Sequence, residues 1–261
     1  MLSRRRFLTG LAAAGALGVT GCTVPSFPDP PTRERARCVP RAELARHGEI
    51  GAARLHYDID GEPRPVHFDA GFHRQLESWW ADWRETSGLG DANRIDNFGA
   101  WIDGRGACDS WHHAGRAFDL GRIRRDGDVL VSCREDVWAG TSDEPQRRRG
   151  YWALAAHLHI HFAHVLTYLF DAAHRNHIHL DNGLSGSGLS TFRPGSRVQV
   201  QVVQASARWL FDEPVEITGR LDAETRRAAE SVLDSLGLRG GLTSADNWHA
   251  YLRAAAGRGQ V

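Results

Sequence analysis

The chain contains no lysine: all 32 of its basic residues are arginine. No single site chemistry would remove every lysine, so this bias carries no functional reading. An excess of one charge is also missing, because 32 acidic residues leave a formal net charge of +0. Without a global positive field, nothing holds a phosphate backbone along the surface, and nucleic acid is not an expected partner. The apolar run within residues 1–22 is too short to cross ~30 Å of hydrocarbon by itself. Cysteine is scarce, at four residues, and no two of Cys38, Cys108 and Cys133 have the close spacing of a zinc ribbon. What remains is an ordinary globular composition: 261 residues, 41% apolar and 25% charged, enough for one to two domains.

Residues 1–22 read MLSRRRFLTGLAAAGALGVTGC, a charged start followed by a short Leu/Ala/Gly/Val run, which is the pattern of an export signal. Ser3-Arg4-Arg5-Arg6-Phe7-Leu8 resembles the twin-arginine motif. Val19-Thr20-Gly21-Cys22 is similar to a lipobox, in which the cysteine becomes the acylated first residue. The expectation is a twin-arginine lipoprotein signal peptide over 1–21 and an exported protein anchored in the cell-envelope membrane by lipid on Cys22, facing the cell wall. Plain cleavage near Cys22 is the alternative. Processing removes three arginines and no acid, for a mature charge of about −3. Residues 22–37 are rich in proline and charge and read as a tether.

Outside the cytosol two of Cys38, Cys108 and Cys133 are expected to pair. Cys108–Cys133 is the more local bridge, Cys38–Cys108 would tie the N-terminal segment to the core, and spacing does not choose between them. Order is expected from about Cys38. Asp69 can cap a helix over 69–83 in which Phe72, Leu76, Trp80 and Trp83 form one apolar stripe for the core. From 94 onward come short segments of strand character, RIDNFGAWI, RAFDLGRI, DVLVS and NHIHLDN, interrupted by one helix starting near Tyr151. Strands and helices without regular alternation predict an α+β domain over roughly 38–190.

Two histidine clusters carry the chemistry. In the first, Ser110-Trp111-His112-His113-Ala114-Gly115-Arg116-Ala117-Phe118-Asp119, a His and an Asp flank a glycine turn that leads into a strand. In the second, His174-Arg175-Asn176-His177-Ile178-His179-Leu180-Asp181, strand alternation puts His177 and His179 on one face. Two imidazoles and a carboxylate would give zinc three protein ligands and leave a fourth position to water, as in catalytic sites. Partly buried imidazoles bonded to carbonyls would give the same spacing.

Ser110, His112, Gly115, Ala117 and Asp119 fill every fixed place of S-x-H-x-x-G-x-A-x-D. This resembles the signature of the D-Ala-D-Ala metallopeptidase superfamily, which includes murein endopeptidases and the hedgehog fold. The A-H-x-x-H-x-H-x-D run from Ala173 to Asp181 is similar to that of the murein-endopeptidase branch and of bacterial extensin-like C-terminal domains. The resemblance implies a small antiparallel sheet flanked by helices, with His112, Asp119 and His179 as zinc ligands. It also implies His177 as the general base. The Glu-x-x-His ending of the dipeptidase branch is absent, so the bond cleaved is not fixed by the likeness. Ser110 either bonds substrate or caps the turn before His112. His174 either polarises the scissile carbonyl or only hydrogen-bonds nearby groups. Arg105 is a candidate partner for a substrate carboxylate, against an ordinary surface ion pair.

The stretch YWALAAHLHIHFAHVL reads as helix, with His157, His161 and His164 on one face and His159 off it, and these four are discounted as ligands. His113 is expected to point away from the site. After LSGSGLSTFRPGS the pattern becomes helical, with Val198, Val202 and Leu210, then Asp222 capping a helix with Ala229, Val232 and Leu236, then Trp248 and Leu252. Val203-Gln204, the turn Gly219-Arg220-Leu221-Asp222-Ala223-Glu224-Thr225 and the late Trp248 resemble a three-helix peptidoglycan-binding domain over 196–256. A helical extension packed on the first domain is the alternative. The resulting expectation is a monomeric zinc peptidase, carboxypeptidase or endopeptidase, acting on peptidoglycan. A non-catalytic wall-binding lipoprotein of the same fold, or a zinc hydrolase acting on another amide, stand beside it.

Overall fold

Asp69 stops an extended segment and starts a helix, because its carboxylate accepts the Phe72 N–H at 2.9 Å and satisfies one free donor of the first turn. Phe72, Leu76, Trp79, Trp80 and Trp83 then fall on one buried face. The computed structural model describes residues 36–259. The signal sequence, Cys22 and nearly all of the tether lie outside the described residues.

Four short strands open the described chain: β1 (Ala45–His47), β2 (Glu49–Ile50), β3 (Ala53–Tyr57) and β4 (Val66–Phe68). Helix α1 (Ala70–Thr86) follows, then β5 (Arg94–Gly99), β6 (Ala117–Arg125) and β7 (Asp128–Ser132). Next come α2 (Glu135–Trp138), α3 (Glu144–His161), β8 (His164–Leu166) and β9 (Ile178–Asp181). Helices α4 (Arg197–Leu210), α5 (Ala223–Ser235) and α6 (Ala245–Ala256) end the fold.

The architecture is α+β. Strands β1 and β4 form a separate antiparallel pair, and the main sheet has seven strands. Strand β6 is its spine: β5 runs along one edge, β9 pairs with Ala117–Leu120, and β7 pairs with Arg122–Arg125. The expected antiparallel sheet is in fact mixed, because β3 pairs parallel to β5. The intervening α1 lets the chain cross back to the same sheet end, a long-range connection that local pattern does not announce.

The helix expected to run on through His164 ends at His161. Phe162 turns extended, at φ −126° and ψ 122°, and His164 to Leu166 form β8 against β9. A continuous apolar run suits a buried helix and a buried strand equally, so its boundary was illegible. Every residue of α3 from Tyr151 to His161 is buried, since the helix packs against α1, β7 and β8 as well as α4 and α6.

The C-terminal helices form where expected. Asp222 accepts the Thr225 N–H at 2.8 Å, and the buried Gln204 side chain takes the Gly219 N–H at 2.8 Å and donates to Thr225 Oγ1 at 2.7 Å. Leu236, expected in the helix core, instead lies beyond its last residue and is 39% exposed. Side chains of all three helices join one apolar core with those of the sheet and α3.

His159 lies inside this core, fully buried beside Trp248, and among the described residues neither ring nitrogen has a hydrogen-bond partner. An unpaired buried polar group costs roughly 1–3 kcal/mol. His159→Leu should therefore raise unfolding free energy by about that amount in urea melts at pH 7. Burial also pushes the His159 pKa down to about 3. Between about pH 6.5 and 3 the unfolded chain binds a proton that the native state refuses, so stability is whole above this window. It falls by about 1.4 kcal/mol per pH unit within it. The Leu variant should lose stability less steeply on acidification; an unchanged acid slope would refute this account.

Candidate metal centre

The ladder register brings the two motifs together. Asp119 on β6 pairs with His179 on β9, and two residues along, Ala117 pairs with Asp181, which pairs in turn with His164 on β8. Because alternate strand residues share a face, Asp119, His179, Asp181 and His164 all stand on one side of the sheet. Phe118, Leu180 and Val165 go to the core on the other.

His112 arrives from a 3₁₀ turn, Trp111–Ala114, that the motif residues build. Ser110 Oγ accepts the His112 N–H at 3.3 Å and caps the turn. Gly115 closes it in the left-handed region at φ 66°, where a Cβ would lie 2.9 Å from the Asp69 nitrogen, so glycine alone fits. The turn also rests on the N-terminal segment: Cys38 is bonded to Cys108, the Val39 N–H donates to His113 O at 2.8 Å, and Trp101 Nε1 donates to Val39 O at 2.9 Å. Cys38–Cys108 is therefore the bridge, and Cys133 is a buried thiol.

Three side-chain atoms converge. His112 Nε2 is 3.1 Å from His179 Nδ1 and 3.2 Å from Asp119 Oδ1, and His179 Nδ1 is 3.0 Å from Asp119 Oδ1. Hydrogen-bond partners bear on which nitrogens carry protons. His112 Nδ1–H donates to the Ala100 carbonyl, which leaves Nε2 with a lone pair. His179 has a carboxylate at each ring nitrogen, Asp181 Oδ2 at 3.3 Å from Nε2 and Asp119 Oδ1 at 3.0 Å from Nδ1; with its proton on Nε2 it turns a lone pair from Nδ1 into the triad. With an ion bound, these tautomers would turn three lone pairs, on His112 Nε2, His179 Nδ1 and Asp119 Oδ1, toward one point; without one, a proton shared with Asp119 takes that place. The spacings are close to the ~3.3 Å edge of a tetrahedron of donors about 2.0–2.1 Å from one ion. Two imidazoles and a carboxylate could hold a divalent metal ion.

The electrostatics express the same demand. Burial opposes ionisation of Asp119, yet hydrogen bonding to His112 and His179 and their charge hold its carboxyl well below the usual range. Burial works against a charged His179, but the carboxylates of Asp119 and Asp181 outweigh it and lift its pKa to about 9. The pocket asks for a positive charge, from a proton or from a metal ion.

A cleft of about 330 Å³ opens on the triad, with Ser110, Trp111, His164, His174 and His177 among its walls. His177, just ahead of β9, donates Nδ1–H to Asn176 Oδ1 at 2.6 Å, which leaves Nε2 as a base 3.5 Å from Asp119 Oδ1. Burial, opposed by Asp119 and aided by the neighbouring histidines, pushes its pKa down to about 4. The His174 ring lies tilted, with its centroid 5.2 Å from that of His177, and its Nδ1 donates to Asp171 Oδ1 at 2.7 Å. Arg105 is exposed at φ 46° on the preceding loop and does not line the cleft. His113 faces Asp109 at 3.6 Å, away from the triad. Compared with protein families, curated proteins and solved structures, the chain has no match.

The discounted histidines divide. His164, moved from helix to strand, bonds Asp181 Oδ2 at 2.5 Å and belongs to the site. His157 and His161 meet Asp82 in a second cluster, but there each facing nitrogen has its own acceptor. His161 Nε2 donates to Asp82 Oδ2 at 2.8 Å, His157 Nε2 bonds Thr86 Oγ1 at 3.0 Å, and Arg253 neutralises Asp82 at 3.1 Å. A larger cavity of about 450 Å³, lined by Trp83, Leu130, Ala153 and His157, has no carboxylate in its walls.

Proposed function

We propose that the protein is a zinc-dependent peptidase that hydrolyses peptide bonds in peptidoglycan stem peptides or cross-links. The observation that carries this reading is the meeting of three candidate ligand atoms, His112 Nε2, Asp119 Oδ1 and His179 Nδ1, at 3.0–3.2 Å beside an accessible cleft. A zinc ion held by these residues would activate water at neutral pH and polarise the scissile carbonyl. The chain's own residues do the rest. His177 Nε2 takes a proton, with its ring fixed by Asn176. Asp119 stays ionised, and His174 and Trp111 wall the space in which a peptide lies. Ser110 spends its oxygen on the turn, although its hydroxyl proton is left to donate.

The choice of peptidoglycan rests on the motif resemblance, on the export pattern and on the likeness of α4–α6 to a peptidoglycan-binding module. Acylation of Cys22 would hold the enzyme at the membrane and face it to the wall, and the Cys38–Cys108 bridge fits an oxidising compartment. Among the described residues no helix is long and apolar enough to cross a membrane. Digestion of purified cell wall, followed by mass analysis of the fragments, tests the proposal. Wild type with zinc should release new peptide fragments and His179→Ala should release none. If both leave the wall unchanged while the protein still sediments with it, a wall-binding role replaces the catalytic one.

A further inference from the structure

Asp181 supplies no atom to the converging triad, yet both of its oxygens are committed beside it. Oδ1 accepts the Gly183 N–H at 2.9 Å, and Oδ2 meets His164 Nδ1 at 2.5 Å and His179 Nε2 at 3.3 Å. The side chain is 2% exposed and its backbone is fixed between β6 and β8 by the register. Resting on the zinc reading above, we propose that Asp181, clamped by His164, is a positioning residue that keeps the proton of His179 on Nε2 and so holds the Nδ1 lone pair ready for the ion.

The argument is one of donors and acceptors. A neutral imidazole carries one proton, and where it sits is decided by the partner of the other nitrogen. Both nitrogens of His179 face carboxylates, Asp119 Oδ1 at 3.0 Å from Nδ1 and Asp181 Oδ2 at 3.3 Å from Nε2. A carboxylate only accepts, so once an ion engages Asp119, Asp181 is the acceptor that draws the proton to Nε2. The Gly183 N–H makes the substitution Asp181→Asn informative. That N–H needs an oxygen opposite it, so the amide oxygen of the new side chain must take the Oδ1 place. Its NH₂ group then faces His179 Nε2 and donates to it. The ring proton is driven to Nδ1, into the triad, and the lone pair that the metal needs is lost. Shape and volume barely change.

His164 is the second half of the device. It sits at the cleft wall, 24% exposed at the side chain, and its bond to Oδ2 stops the carboxylate from rotating away from His179. Partners of this kind typically change metal affinity by about tenfold to a hundredfold.

Zinc affinity measured by competition with a chromophoric chelator tests the proposal, with cobalt absorption as a second signature of the ligand field. Wild type should bind one ion and His112→Ala none, which locates the ion at the triad. Asp181→Asn should bind about tenfold to a hundredfold more weakly and show an altered cobalt spectrum, while the metal-free unfolding midpoint stays near that of wild type. His164→Asn, on the less buried partner, should weaken binding by several-fold and covers the case in which the first variant does not fold. Wild-type affinity in either folded variant overturns the positioning role alone. Failure of wild type to bind zinc overturns the site reading and this inference together.

Discussion

Replacing His177 with alanine is expected to lower kcat on a peptidoglycan fragment by about 10²–10⁴-fold, the usual worth of a general base, with zinc content unchanged. The separation of these two readouts follows from position. His177 Nε2 is 3.5 Å from Asp119 Oδ1 and outside the 3.0–3.2 Å triangle, so its loss removes no ligand. Its other nitrogen is committed to Asn176, so the ring presents an unprotonated Nε2 to the cleft. A pKa pushed down to about 4 by burial keeps it unprotonated at neutral pH. His112→Ala should lose activity and zinc together. A His177→Ala enzyme with wild-type kcat would remove the histidine from the reaction, and one without zinc would make it a ligand.

The parts of this site that local rules build were legible in the sequence. Ser110 and Gly115 are a cap and a left-handed turn residue, and a turn of that kind followed by Ala117 and Asp119 on a strand leaves one face for the carboxylate. The i, i+2 spacing of His177 and His179 suggested a shared face, although the strand starts only at Ile178. Asp181 stood in the second motif but had no role until the register set it against His164. His164 was hidden, because Phe162-Ala163-His164-Val165-Leu166 continues the apolar run of α3 and only contact with β9 makes it a strand. The parallel β3–β5 pairing was hidden for the same reason: it depends on partners far along the chain. Cysteine spacing left two pairings open, and the positions of Val39 against His113 and Trp101 decide between them.

The same bridge gives the largest stability effect expected. Cys38 and Cys108 are separated by 70 residues, and closing a loop of that length stabilises by about 4 kcal/mol through the unfolded chain's lost entropy. The double variant Cys38→Ser, Cys108→Ser should therefore unfold at markedly lower urea, compared with the oxidised protein in chelator so that bound metal does not add its own stabilisation. Cys133 offers no substitute partner: burial pushes its thiol pKa well up, and it is buried against the sheet. A second effect should reach the site. The bridge holds Val39 against the His113 carbonyl and Trp101, and the loop from Ala100 to Cys108 supplies the carbonyl that orients His112. Released from that anchor, the His112 turn explores more positions, and ordering it around an ion costs entropy that the oxidised protein has already lost. Zinc should thus bind more weakly to the reduced protein even where it is fully folded. Equal urea midpoints would refute the stabilising role of the bridge. Equal zinc affinities at unequal midpoints would show that the turn is held by Ser110, Gly115 and the sheet alone.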